Sequence, residues 1–107
     1  MIYEIRIYEA AEGKADAMKA RFKNEAATRF PNHGIELLGV FESPSDSSRL
    51  TYLTRFKSEA DRTKAWAAFG ADPEWLIVKA ATEKNGALLK NQTVSVLSPA
   101  VAGLLLG

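Results

Sequence analysis

The chain contains no cysteine. Disulfides, thiolate zinc sites, iron–sulfur clusters and a cysteine nucleophile are therefore excluded. It has a single histidine, His33, so a two-histidine metal motif cannot form within one copy and no metal site is expected. An excess of one charge sign is missing too. Fourteen Lys and Arg face thirteen Asp and Glu, a net charge of +1, which gives no general reason to expect nucleic acid or an anionic membrane as a partner. No membrane-spanning run is present. The longest uncharged apolar stretch, Val94 to Gly107, is broken by Ser95, Ser98, Pro99 and two glycines, and falls short of the roughly 20 residues that cross a bilayer. The opening Met1-Ile2-Tyr3-Glu4-Ile5-Arg6 is charged too early for a signal peptide, so the expected location is cytoplasmic. A phosphate loop is rejected as well. Gly34 and Gly39 have its glycine spacing, but Val40 and Phe41 stand where Lys and Ser or Thr belong.

What remains is a folding composition: 107 residues, 47% hydrophobic and 25% charged. One domain over residues 1–107 is expected, with 99–107 as an apolar tail carrying Val101, Leu104, Leu105 and Leu106. Residues 2–9 alternate, with Tyr3, Ile5 and Ile7 on one face and Glu4, Arg6 and Tyr8 on the other, which predicts a strand. After Gly13 the period changes. Met18, Phe22, Ala26 and Phe30 recur every four residues, predicting an amphipathic helix that Pro31 stops and Asn32-His33-Gly34 turns. Residues 35–42 predict a second strand, with Ile35, Leu37, Gly39 and Phe41 opposite Glu36, Leu38, Val40 and Glu42. A polar turn over 43–48 and a third strand over 50–56 suggest an antiparallel hairpin.

Ser58 followed by Asp61 marks a helix start, running to about Phe69. Asp72-Pro73-Glu74 starts a third helix with Asp as the cap and Pro at the first helical position, ending near Asn85-Gly86. Thr93 to Leu97 reads as a fourth strand. The order β-α-β-β-α(α)-β is the split βαβ, or ferredoxin-like, arrangement of an α+β protein with an antiparallel sheet. Helices cover one sheet face. The other is mixed: Glu4, Arg6 and Tyr8 are polar, whereas Leu38 and Val40, and Tyr52 and Phe56, are largely apolar, and alternation leaves open which row lies on which face. Hiding about 800 Å² of such surface per subunit is a gross gain on the order of 20 kcal/mol before association costs, so a symmetric homodimer is expected.

Several segments resemble the NIPSNAP family. Tyr3-Glu4-Ile5-Arg6-Ile7-Tyr8 resembles its opening strand, and His33-Gly34-Ile35-Glu36-Leu37-Leu38-Gly39-Val40-Phe41 a later one. Ala65-Trp66-Ala67-Ala68-Phe69 followed by Asp72-Pro73-Glu74-Trp75 is similar to the family's Trp-containing helix and Asp-Pro-Glu-Trp turn. The resemblance spans essentially the whole chain. It implies a dimeric α+β barrel in which two ferredoxin-like subunits pack sheet to sheet with helices outside. It brings no settled activity and no agreed catalytic residues. Related barrels include cofactor-free oxygenases, lactone isomerases and haem-binding enzymes.

His33 is the one side chain with an ordinary pKa near neutrality. As a general base it would sit at the mouth of a pocket, oriented by Glu36 or Glu42; as a turn residue it caps backbone, the plainer reading. No cofactor is expected. A haem would need an axial ligand, and His33 is the sole imidazole. Arg6 and Arg55 suit an anion or polar-ligand site inside the barrel. The competing and favoured reading pairs them with Glu4, Glu36 or Glu42. Tyr8, Tyr52, Trp66 and Trp75 suit the wall of an apolar cavity between sheet and helices. Trp66 and Trp75 read first as core, while Tyr8 and Tyr52 stay open because each hydroxyl needs a partner. The expectation is a homodimer binding a small, partly apolar ligand. The alternatives are a cofactor-independent oxygenase or isomerase acting on a small aromatic or lactone-type substrate, and a structural or protein-interaction module.

Overall fold

A computed structural model describes residues 1–101, 103 and 104. Strand β1 (Ile2–Ala10) leads into a helical run over residues 15–33, here α1. There follow β2 (Glu36–Ser43), β3 (Asp46–Phe56), α2 (Glu59–Gly70), α3 (Pro73–Thr82) and β4 (Leu89–Leu97). The sheet order is β2-β3-β1-β4, and every neighbouring pair is antiparallel. This is the ferredoxin-like α+β arrangement that the periodicity predicts.

The helix starts follow the sequence signals. The Ser58 hydroxyl accepts from the Asp61 N–H at 3.1 Å, and Asp72 Oδ1 accepts from the Glu74 and Trp75 N–H groups at 2.9 and 3.3 Å. The boundaries differ more. The expected six-residue turn contracts to Pro44-Ser45, because Ser43 already pairs with Asp46 and Asp46 Oδ1 accepts from the Ser48 N–H at 3.0 Å. β4 begins at Leu89 rather than Thr93, since Asn91 and Gln92 pair with Glu9 and Tyr8 despite their polarity. α3 stops at Thr82, short of Asn85-Gly86.

The row spaced by four in α1 has a geometric consequence. In a regular α-helix, four residues overshoot one turn by about 40°, so three such steps drift about 120° off one face. The chain absorbs the drift with a π-helical turn over Phe22–Ala26 and a 3₁₀ turn over Phe30–His33. Met18, Phe22, Ala26 and Phe30 are all buried as a result. Pro31 lies inside that last turn, and Gly34 closes it at φ +76°, with the Ile35 N–H donating to the Phe30 carbonyl at 3.1 Å.

Pairing assigns the sheet rows. Under the helices lie Leu37–Thr54–Glu4–Val96, Val40–Tyr52–Arg6–Val94 and Glu42–Leu50–Tyr8–Gln92. The outer face carries Gly39–Leu53–Ile5–Ser95 and Phe41–Thr51–Ile7–Thr93. This settles what alternation leaves open, since the polar row of β1, and Tyr52 with Phe56, are on the helix side. One expectation changes. A bulge between Leu37 and Gly39 breaks the simple alternation of β2, so Leu37 and Val40 share a face and Gly39 and Phe41 share the other. The core gathers Phe22, Phe30, Ile35, Leu50, Tyr52, Phe56 and Phe69 between sheet and helices. Of the tail, Val101 and Leu104 are exposed, and Leu105 and Leu106 lie outside the described residues. Among the described residues no helix is long and apolar enough to cross a membrane.

Candidate functional site

Glu4 and Arg6 are two apart on a strand, so both point under the helices. Glu4 has no exposed side-chain surface. Its Oε1 accepts from Arg6 Nε at 2.9 Å, Thr54 Oγ1 at 3.0 Å and Trp66 Nε1 at 3.0 Å. Its Oε2 accepts from Arg62 Nη1 at 2.7 Å. Arg62 and Trp66 come from successive turns of α2, the i,i+4 spacing that sets two side chains on one face. Burial alone would raise the Glu4 carboxyl; the hydrogen bonds from Arg6, Arg62 and Thr54 outweigh it and hold the group below the usual carboxylate range. The Arg6 guanidinium carbon lies over the Trp66 ring, 3.8 Å from its centroid.

A parallel arrangement forms across the helices. Arg21 of α1, buried, donates from Nη1 to Glu83 Oε2 at 2.7 Å and to Thr82 Oγ1 at 3.2 Å. Its guanidinium lies 5.4 Å from the Trp75 ring centroid. Between the two stacks is a cavity of about 290 Å³, walled by Phe22, Phe30, Trp66, Phe69 and Trp75, with Arg6, Tyr8, Arg21, Lys79 and Gln92 as its polar lining. Tyr8 and Tyr52 share a 2.7 Å hydrogen bond beneath it. Burial raises both phenols, Tyr52 well above the ordinary value.

The structure divides the expected site residues. Arg6 and Tyr8 line this cavity, whereas Tyr52 is fully buried behind it and touches it only through its hydrogen bond to Tyr8. His33 and Arg55 line a different, open groove of about 520 Å³ with Glu36, Lys57 and Lys64. The partner of His33 is Asp72, with Nε2 to Oδ2 at 2.7 Å, rather than Glu36 or Glu42. That bond comes first among the groups holding the Asp72 carboxyl below its ordinary value. Glu36 pairs with Arg55, whose Nε donates at 2.9 Å, and Glu42 with Lys19 at 3.5 Å. The pairing favoured for Arg6 and Arg55 is thus found, but on opposite sheet faces. Trp66 and Trp75 both pack on the core and wall the cavity. Sequence reasoning missed Arg21, Arg62, Lys79 and Gln92. Arg21 is three residues from Met18 and Arg62 four from Trp66, so the spacing carried a signal, masked by the habit of reading helical cations as solvated. Among the described residues no cluster of three or more acidic, His or Cys side chains is arranged to hold a metal.

Fold and cavity together define a ferredoxin-like α+β domain with an aromatic-walled space between sheet and helices. Residues 3–102 match the NIPSNAP family model, and the chain belongs to that family. An Agrobacterium tumefaciens NIPSNAP-family protein of unknown function is 27% identical, with a TM-score of 0.81 over 99% of this chain and 94% of that one. A NIPSNAP-like domain protein from Burkholderia xenovorans is 25% identical, with a TM-score of 0.79 over 99% of this chain and 90% of that one. A Nitrosomonas europaea protein whose name places it among antibiotic biosynthesis monooxygenases shares the fold at 18% identity, with a TM-score of 0.61 over 94% of this chain and 100% of that one. A comparison with curated proteins finds no match.

Proposed function

We propose that this NIPSNAP domain acts as a homodimer in which each subunit binds one small, partly apolar ligand in the sheet–helix cavity. The observation that carries the ligand reading is the cavity's composition: aromatic walls with a few polar groups converging on them, the usual make-up of a small-molecule site. Its volume, about 290 Å³, sits at the lower edge of the roughly 300–1,000 Å³ typical of such sites, so the ligand is small. The dimer reading rests on the outer sheet face, where Ile5, Ile7, Leu53, Phe41 and Leu97 leave apolar area without cover, and a second copy supplies it by symmetry.

The oxygenase or isomerase alternative has less support. His33 lies outside the cavity, and phenols raised by burial are poor bases near neutrality. The test uses the chain's two tryptophans, both of which wall the cavity. Titration with benzamide, a small neutral aromatic, is expected to shift the indole N–H resonances of Trp66 and Trp75 saturably. Resonances that stay fixed through millimolar benzamide and through millimolar benzoate, its charged isostere, would overturn the ligand reading.

A further inference from the structure

The cavity's polar groups are almost all donors. Glu4 occupies Arg6 Nε and Nη2, at 2.9 and 3.3 Å, and among the described residues Arg6 Nη1 makes no hydrogen bond. Glu83 and Thr82 occupy Arg21 Nη1, and among the described residues Nε and Nη2 of that guanidinium make no hydrogen bond. These open nitrogens are not sealed from accessible space. With the two side chains only 12% and 8% exposed, the space beside them is the cavity that both line. Arg6 is thus held along one edge by a carboxylate and Arg21 at one nitrogen, each with a tryptophan ring over its guanidinium, leaving other nitrogens free for a ligand.

Tyr8 adds a third donor. Tyr52 is fully buried and its hydroxyl has Tyr8 as its one hydrogen-bond partner, so its proton is satisfied only by donating to Tyr8. The Tyr8 proton is then left for the cavity, which Tyr8 lines. Lys79 stands at the same lining, exposed and with no ion pair among the described residues. Glu4 and Glu83, the carboxylates that balance the arginines, are not part of the lining, and no other carboxylate is. Gln92 offers the one side-chain amide acceptor there.

A space with aromatic walls, fixed guanidinium edges, a phenol donor and no carboxylate is complementary to a flat apolar body bearing one oxyanion. We infer that the ligand of this cavity is a small aromatic carboxylate, its ring against the wall of Trp66, Phe69 and Trp75 and its carboxylate against Arg6, Arg21 and the Tyr8 hydroxyl. The inference rests on the cavity being a ligand site, and it adds the chemical class. A charge-assisted contact exceeds a neutral one by enough to give roughly ten-fold or more in affinity.

The experiment compares benzoate with benzamide, which has the same shape without the charge, by calorimetry on the intact protein at pH 7. Benzoate is expected to bind about ten-fold tighter or better, and Arg21→Gln is expected to bring the ratio close to one. The wild-type ratio decides the matter even if that variant folds poorly; Lys79→Ala, at the exposed end of the lining, gives a second variant, expected to lower the ratio less. Equal affinities for the two probes overturn the carboxylate class and leave the ligand site standing. Inorganic phosphate binding as tightly as benzoate overturns the aromatic part of the inference. No heat with any probe at millimolar concentration overturns both the class and the site.

Discussion

Glu4 keeps its charge with no exposed side-chain surface because four donors from three elements converge on it: Arg6, Thr54, Arg62 and Trp66. Removing the charge leaves Arg6 and Arg62 without their counter-ion. Glu4→Gln is therefore expected to cost about 2–3 kcal/mol, read from denaturant melts. It also frees Arg6 from its fixed edge. The pH dependence follows from the lowered carboxyl. Stability from this group is fully present above the unfolded carboxylate value, about 4.3, and is lost as pH falls through the lower folded-state value. The wild type should lose stability on acidification through that window, and the Glu4→Gln protein should lose less. Tyr8 and Tyr52 act in the opposite direction. Their raised phenols contribute stability that is fully present below the ordinary value, about 10, and lost as pH rises through the folded-state values. Ultraviolet titration is expected to show these two ionising above that ordinary value, in step with loss of folded signal; ionisation of both at the ordinary value, with the fold intact, contradicts the buried pair.

At the scale of the elements, α1 shows how a helix with an awkward repeat reaches the sheet. Its terminus depends on Gly34 in the left-handed region at φ +76°, with open space where a Cβ would sit. Gly34→Ala therefore meets no clash, only the backbone penalty of about 1–2 kcal/mol, visible as a lowered melting temperature. Most of this level was legible. Ser58, Asp72-Pro73 and Gly34 announce their caps through local hydrogen bonding and backbone freedom. The π turn was not, although the four-residue row of Met18, Phe22, Ala26 and Phe30 implies that a regular helix cannot keep all four buried. Nor was the early start of β4, because Asn91 and Gln92 join the sheet through backbone pairing that their side chains do not advertise.

For the whole molecule, the outer sheet face is where the proposed dimer is put to the test. Ile5 sits on a central strand with Leu53 across from it on β3, and Leu53 faces Gly39 on β2. A lysine at Ile5 would put a charge into the middle of the proposed sheet-to-sheet interface and cost several kcal/mol in the dimer. Ile5→Lys is expected to remain folded and to sediment as a single copy at micromolar concentration, whereas the wild type sediments as two. A wild-type protein that stays monomeric there removes the dimer reading and leaves the cavity reading standing, since the cavity lies on the helix side of the sheet and the proposed interface on the other.

The amino-acid sequence by itself determined the order of strands and helices, their caps and turns, and the exclusion of thiol and paired-histidine chemistry. These depend on composition and on neighbours a few residues apart. Only the tertiary structure decided which side of β1 goes under the helices. A period of two separates two faces but does not say which is inside, so the place of the polar row of Glu4, Arg6 and Tyr8 stayed open. It goes inside because Arg62 and Trp66, 58 and 62 residues away from Glu4, arrive to satisfy it. The same long-range closure brings Arg21 and Trp75 opposite Arg6 and Trp66. The cavity is therefore a property of the packed helices, and no single segment of the chain encodes it.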